Sequence, residues 1–233
     1  QGARAGAAAL PAGRRQGARA GAVALENLVI ILNLPAVVIV ALSGFNQRFP
    51  GGGDQLNQAA SVIRAGGIIA YPTESCFGLG CDPLNIDAIE RILKLKQRPR
   101  KKGLIVIADR LDRLQQFLLP LSQEQLSRVL ESWPGPFSWI CPAAPEVSPW
   151  LRGDHYGLAV RVTAHPLASG LCETAQTALV STSANVADRP SLKTADDVRK
   201  EFGSAIDFIV DGQIGEDDRP STIIDLSGGE VFR

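Results

Sequence analysis

Six cationic side chains fall between Lys94 and Lys102, in the run LKLKQRPRKKG, and no acid lies among them. The chain as a whole balances 24 Lys and Arg against 24 Asp and Glu. The positive charge here is therefore local. In water each like-charge pair at ~7 Å costs about 0.6 kcal/mol before salt screening, and a bound anion relieves that repulsion. Lys94 and Lys96 suit the last turn of a helix, where cations complement the backbone dipole. Arg98, Arg100, Lys101 and Lys102 follow around Pro99 and have no such local explanation. They fit either a solvated face or a seat for a polyphosphate or nucleic-acid backbone.

Three further clusters carry polar groups where an apolar run stops. YPTES, Tyr71 to Ser75, leaves a buried strand through Thr73 and Glu74. LVSTSAN, Leu179 to Asn185, ends a strand in Ser181, Thr182, Ser183 and Asn185, groups that suit phosphate oxygens or a ribose. Arg161 interrupts the apolar strand AVRV and needs a counter-charge or a bound anion. Strand ends are where α/β proteins place ligand contacts. Each cluster also has a structural reading: a Thr/Ser turn capping its own backbone, or an ion pair for Arg161.

Several chemistries are disfavoured. FGLGCDP, Phe77 to Pro83, begins a dinucleotide-type glycine pattern, but Pro83 stands where the third glycine belongs. No GxxxxGK[ST] loop and no GxSxG elbow occurs. Cys76, Cys81, Cys141 and Cys172 form no CxxC pair, and His155 and His165 are the only histidines. That pattern does not suit a structural zinc site; it suits small buried thiols in a reducing compartment.

The elements that must position these groups alternate between helix and strand. Asp54 is expected to cap a helix to about Arg64, with Gly66 as its stop. GIIAY is a strand. Asn85 opens a helix with Ile86, Ile89 and Leu93 on one face and a Glu90–Lys94 pair. LIVIA is a strand. Ser122 and Gln125 form a capping box for a helix to about Trp133. FSWIC and GLAVRV are strands, Pro166 starts a helix, and ALVSTS is a strand. Thr194 with Asp197 caps another helix ending at Gly203. FIV and TIIDL close the series. The sum is one α/β domain with a mixed sheet, because the connections are too irregular for a doubly wound one. Residues 1–53 differ: QGARAGA occurs twice, and an apolar run, Asn27 to Phe45, is broken by Asn33 and Pro35. A signal or anchor, an organelle transit segment, and an extension outside the fold are the alternatives; the last is preferred, with the domain spanning 54–233.

Taken together and in this order, YPTES-CFGLGCDP, KLKQRPRKKGLIVI, WPGPFSWI, LAVRVTAHP, LVSTSAN and PSTIIDL resemble the YrdC-type threonylcarbamoyl-AMP synthases, in their short single-domain bacterial form. The resemblance covers residues 54–233. It implies a twisted mixed sheet with flanking helices and a concave, basic face. It implies an enzyme of the cytoplasm that uses L-threonine, bicarbonate and ATP with Mg2+, and releases threonylcarbamoyl-AMP and pyrophosphate. Partner transferase proteins would then move the threonylcarbamoyl group to tRNA. By matching positions, Lys96, Arg98 and Lys102 would meet the phosphates, and Ser138, Ser181, Ser183 and Asn185 the nucleotide. Thr73 and Arg161 would lie on the threonine side, with Ser221 a weaker candidate and Glu74 a helper for carbamate formation. The rival is an RNA-binding module in ribosome or tRNA maturation. It is disfavoured because aromatics for base stacking are few.

Overall fold

The computed structural model describes residues 52–217 and 219–232. The reading of residues 1–53 as an extension therefore lies almost wholly outside the described residues.

Eight strands form one mixed sheet: β1 (Ile69–Pro72), β2 (Phe77–Gly80), β3 (Ile105–Ala108), β4 (Phe137–Pro142), β5 (Gly157–Val162), β6 (Leu179–Ser183), β7 (Phe208–Ile209) and β8 (Thr222–Asp225). Their order across the sheet is β7-β1-β2-β6-β3-β5-β4-β8. The pairs β1–β7, β3–β5 and β4–β8 are parallel, and the other four are antiparallel. The expected mixed sheet is present. The strand β2 was not expected, because its FGLG carries two glycines. It pairs back onto β1 with Tyr71 opposite Gly78, so YPTES and the residues after it make a hairpin.

Side chains alternate along a strand, so each strand feeds two faces. On one face Ile68, Ala70, Phe77, Leu79, Val106, Ala108, Trp139, Leu158, Val160 and Val180 join a continuous core. That core is closed by α2 (Ile86–Lys96), α3 (Gln123–Leu130), α4 (Pro149–Arg152) and α6 (Ala195–Phe202). On the other face Ile69, Tyr71, Ile107 and Leu179 meet α1 (Gly52–Arg64) and α5 (Pro166–Ala175). Each fully buried Ile or Leu contributes on the order of 1.5–3 kcal/mol. The two helices α1 and α5 reach only part of this second face. The facing positions of β5, β4 and β8 (Ala159, Arg161, Ile140, Ile223 and Asp225) line a cavity instead.

Local signals explain most helix limits. Asn85 accepts from the Ala88 N–H, and Ser122 with Gln125 forms a complete capping box. Helix α1 begins at Gly52, so Asp54 sits in its first turn rather than at the cap. Its carboxylate still complements the dipole there. Gly66, at φ 83°, turns the chain after Arg64. Helix α3 ends at Leu130, three residues earlier than expected, and the Ser132 and Trp133 N–H groups both reach back to the Val129 carbonyl. In α2 the buried stripe is Ala88, Ile89, Ile92, Leu93 and Lys96, while Ile86 is exposed. All four cysteines are buried and free.

Candidate active site

The basic run does not project as one patch. Lys94 faces outward and pairs with Glu90 at 3.0 Å. Lys96, one turn position on, points inward and is 3 % exposed. Gln97, at φ 51°, closes α2 in the left-handed region, and the Arg98 N–H returns to the Leu93 carbonyl at 2.9 Å. The guanidinium of Arg98 then donates to the Gly103 carbonyl through Nε at 3.1 Å and Nη2 at 2.9 Å. A further bond reaches the Lys102 carbonyl at 3.3 Å. Arg98 thus staples the bend that follows it.

Two glycines let this bend lie against α4. A Cβ on Gly153, at φ 68°, would stand 2.5 Å from the Lys101 carbonyl oxygen. One on Gly103, at φ 59°, would stand 2.7 Å from the Arg152 carbonyl oxygen. Arg100 lies over the Trp150 ring at 5.3 Å. Arg98 and Lys102 line the cavity, whereas Lys94, Arg100 and Lys101 do not.

The cavity has a volume of about 880 Å³, within the roughly 300–1,000 Å³ usual for small-ligand sites. Its wall carries four cationic side chains, Arg98, Lys102, Arg152 and Arg161, against two acids, Asp154 and Asp225. Thr73, Ser181, Ser183 and Ser221 line it as well. Seven of the residues for which the resemblance implies a site role therefore share one hollow: Thr73, Arg98, Lys102, Arg161, Ser181, Ser183 and Ser221. The Thr73 hydroxyl donates to the Cys76 carbonyl at 2.7 Å, which fixes the turn and leaves the hydroxyl oxygen as an acceptor. Gly78 keeps the gap between Thr73 and Ser181 open: a Cβ there would be 3.3 Å from the Thr73 methyl and 3.5 Å from the Ser181 Oγ.

Lys96, Ser138 and Asn185 stand outside this wall. The Lys96 ammonium donates to the Ser183 carbonyl, to the Asn185 carbonyl at 2.9 Å and to the Asn185 side-chain oxygen at 3.1 Å. The Ser183 hydroxyl donates to the same Asn185 oxygen at 2.6 Å. The Asn185 amide is occupied by the Val186 and Arg189 carbonyls at 2.9 and 2.8 Å. Lys96 and Asn185 together clamp the end of β6, so that Ser181 and Ser183 face the cavity. Burial first, and Arg98 second, pull the Lys96 pKa down to about 8. Ser138 is fully buried, and its hydroxyl donates to that of the wall residue Ser221 at 3.3 Å.

Behind Thr73 lies a buried ion pair. Arg161 Nη2 is 3.2 Å from Glu74 Oε2. The Thr163 hydroxyl and the Ala164 N–H donate to Glu74 Oε1 at 2.6 and 3.3 Å. Burial alone would raise the Glu74 pKa, but Arg161 and the Thr163 hydroxyl outweigh it and hold the carboxyl below its ordinary value. A carboxylate so engaged, and not in the cavity wall, is poorly suited to take a proton from a substrate amine. The helper role expected for Glu74 in carbamate formation does not fit this placement. His165 is pushed down by burial, and its Nε2 lies 3.1 Å from the Gln213 carbonyl oxygen.

Sequence reasoning missed Arg152, Asp154, His155 and Tyr156, which form one rim of the cavity. Their signal was the polar run RGDHY between two apolar elements. It also missed Asp225, whose facing follows from strand alternation in TIIDL. Among the described residues no cluster of three His, Cys, Asp or Glu could hold a metal ion.

An α/β domain with a cation-lined cavity on the uncovered part of a mixed sheet defines a class of small-molecule-binding protein. The chain belongs to the Sua5/YciO/YrdC family, whose model, described as telomere recombination, matches residues 61–233. A protein of Nitrosococcus oceani named threonylcarbamoyl-AMP synthase is 54 % identical over 175 residues, which is 75 % of this chain and 95 % of that protein. One of the same name from Methylobacillus flagellatus is 50 % identical over 171 residues, covering 73 % and 94 %. Among solved structures, Sua5 of P. abyssi complexed with L-threonine is similar with a TM-score of 0.71 and 31 % identity, over 76 % of this chain and 52 % of that one.

Proposed function

We propose that this chain is a threonylcarbamoyl-AMP synthase. Threonine's amine and bicarbonate give a carbamate and water. A carbamate oxygen then attacks the α-phosphorus of ATP, pyrophosphate leaves, and threonylcarbamoyl-AMP is formed. The single observation that carries this reading is the shared wall. Arg98 and Lys102 face the same hollow as Thr73, Arg161, Ser181 and Ser183, so a triphosphate and an amino acid can meet there. The relatives' shared name supports the same substrates.

The protein's part in such a transfer is to position reactants and neutralise charge. Arg98 and Lys102 would hold phosphates. Ser181, Ser183 and Ser221 would hydrogen-bond the nucleotide, with Ser138 supporting Ser221. Thr73 and Arg161 would hold threonine, and Lys96 and Asn185 would fix the β6 end. Magnesium fits as an ion carried in by the triphosphate, since Mg2+ commonly binds through substrate phosphates and one or two carboxylates. Asp154 and Asp225 are the carboxylates in the wall. The product would pass to transferase proteins acting on tRNA, in the cytoplasm. No helix among the described residues is long and apolar enough to cross a membrane.

The test is pyrophosphate release by the full chain with ATP, threonine and bicarbonate, and no RNA. Release that requires both threonine and bicarbonate is expected. Release indifferent to threonine, or none without RNA, would remove the proposal.

A further inference from the structure

We propose that Glu74 is a positioning residue: its carboxylate holds Arg161 in place in the cavity wall and locks the Thr73 turn to two other chain segments. This deepens the proposed function, since it assigns the support of the threonine side of the same site.

Arg161 sits on β5 opposite Ile107 of β3, inside the sheet, and its side chain is 7 % exposed. A buried guanidinium without a counter-charge is strongly unfavourable, and it turns toward whatever anion is fixed nearest. The fixed anion is Glu74, at 3.2 Å. Glu74 is itself held by groups on a different element, the Thr163 hydroxyl and the Ala164 N–H. The Thr163 hydroxyl oxygen also accepts from the His165 N–H at 3.2 Å. One carboxylate thus joins the 73–76 turn to the link between β5 and α5.

The peptide of the same residue makes a second connection. The Asp217 N–H donates to the Glu74 carbonyl at 3.2 Å, and the Gly215 N–H donates to the Thr73 carbonyl at 2.9 Å. A Cβ on Gly215 would stand 2.6 Å from the Glu74 carbonyl oxygen, so the two backbones are in direct contact. His165 meets the Gln213 carbonyl at 3.1 Å and ties this segment to the first two. Three stretches of chain far apart in sequence therefore converge on Glu74: 73–76, 163–165 and 213–217. Two residues in the cavity wall, Thr73 and Arg161, are set by that junction. Glu74 does not line the cavity, so its effect on a substrate must pass through them.

Steady-state kinetics on the full chain, with threonine varied at saturating ATP and bicarbonate, tests this. Glu74→Gln keeps size and removes the charge. It is expected to raise the threonine KM at least fivefold, with the KM for ATP changed less than twofold. Glu74→Asp should recover part of the loss. In an Arg161→Met background, adding Glu74→Gln should raise the threonine KM by clearly less than it does in the unaltered chain, because one of the two residues it acts through is gone. A smaller effect of the single variant, equal effects on both substrates, or multiplying effects in the double variant would overturn the proposal. Thr163→Val, which keeps both charges and removes one hydrogen bond to Glu74, covers the case in which Glu74→Gln does not fold; it should raise the threonine KM about threefold, and an unchanged KM counts against the idea. If the unaltered chain shows no threonine-dependent turnover, the synthase reading fails instead. The Glu74–Arg161 coupling is then read from urea midpoints of the unaltered chain, Glu74→Gln, Arg161→Met and the double variant: non-additive shifts support it and additive shifts refute it.

Discussion

Replacing Arg98 with alanine removes a cation from the cavity wall and also three hydrogen bonds that hold the following bend. The first loss governs catalysis. A hydrogen bond to a charged group is worth about 1.5–3 kcal/mol, and about 1.4 kcal/mol is a factor of ten in rate. One lost contact to a phosphate therefore predicts a fall in kcat/KM for ATP of roughly 10- to 150-fold. Release of the bend would add to this by letting Lys102 drift. Arg98→Lys separates the two effects, because an ammonium keeps the charge but cannot fork across the Gly103 carbonyl. It should fall between the wild type and the alanine variant. The assay is pyrophosphate release with ATP varied, alongside thermal melting. Arg98 is half-buried and outside both cores, so the fold should persist with a modest drop in Tm. A folded alanine variant within threefold of the wild-type rate would refute the reasoning.

Lys96 should impose an alkaline limit. Its pKa lies near 8, so its ammonium is lost as pH rises through that value, and with it the clamp on Ser183 and Asn185. Activity should decline above about pH 8, and Lys96→Arg should move that limb upward; a limb unmoved by the substitution would contradict the assignment. The same depressed value means the unfolded chain binds more protons between about 8 and 10.5, so Lys96's contribution to folding stability rises with pH across that window. Gly153→Ala would set a methyl 2.5 Å from the Lys101 carbonyl oxygen at a positive φ, and should cost more than about 2 kcal/mol in urea unfolding. Gly78→Ala presses on Thr73 and Ser181 only gently. It should leave Tm within a few degrees while lowering kcat/KM for threonine at least fivefold; unchanged kinetics would place the amino acid elsewhere.

Most of the scaffold was legible because its signals are local. Asn85, Ser122 and Thr194 each cap the helix they were expected to cap. Apolar runs such as LIVIA and GLAVRV became strands. FGLG did not read as a strand, since glycines weaken that signal and its pairing with β1 and β6 is a tertiary fact. The cavity wall was legible where polar groups interrupt apolar runs, at Thr73, Arg161, Ser181 and Ser183. What stayed hidden were partnerships across the fold. Nothing local indicates that Lys96 turns inward onto Asn185 while Lys94 turns out, or that Glu74 belongs to Arg161. The rim at Arg152 to Tyr156 was missed because its polar residues look like any surface loop until the cavity is seen beneath them.

The most direct measurement is mass spectrometry of the reaction products. The full chain would be incubated with ATP, threonine and carbon-13 bicarbonate. Threonylcarbamoyl-AMP carrying one heavy carbon is expected, absent when threonine is withheld. ATP left intact, or cleaved without label entering an adenylate, would contradict it.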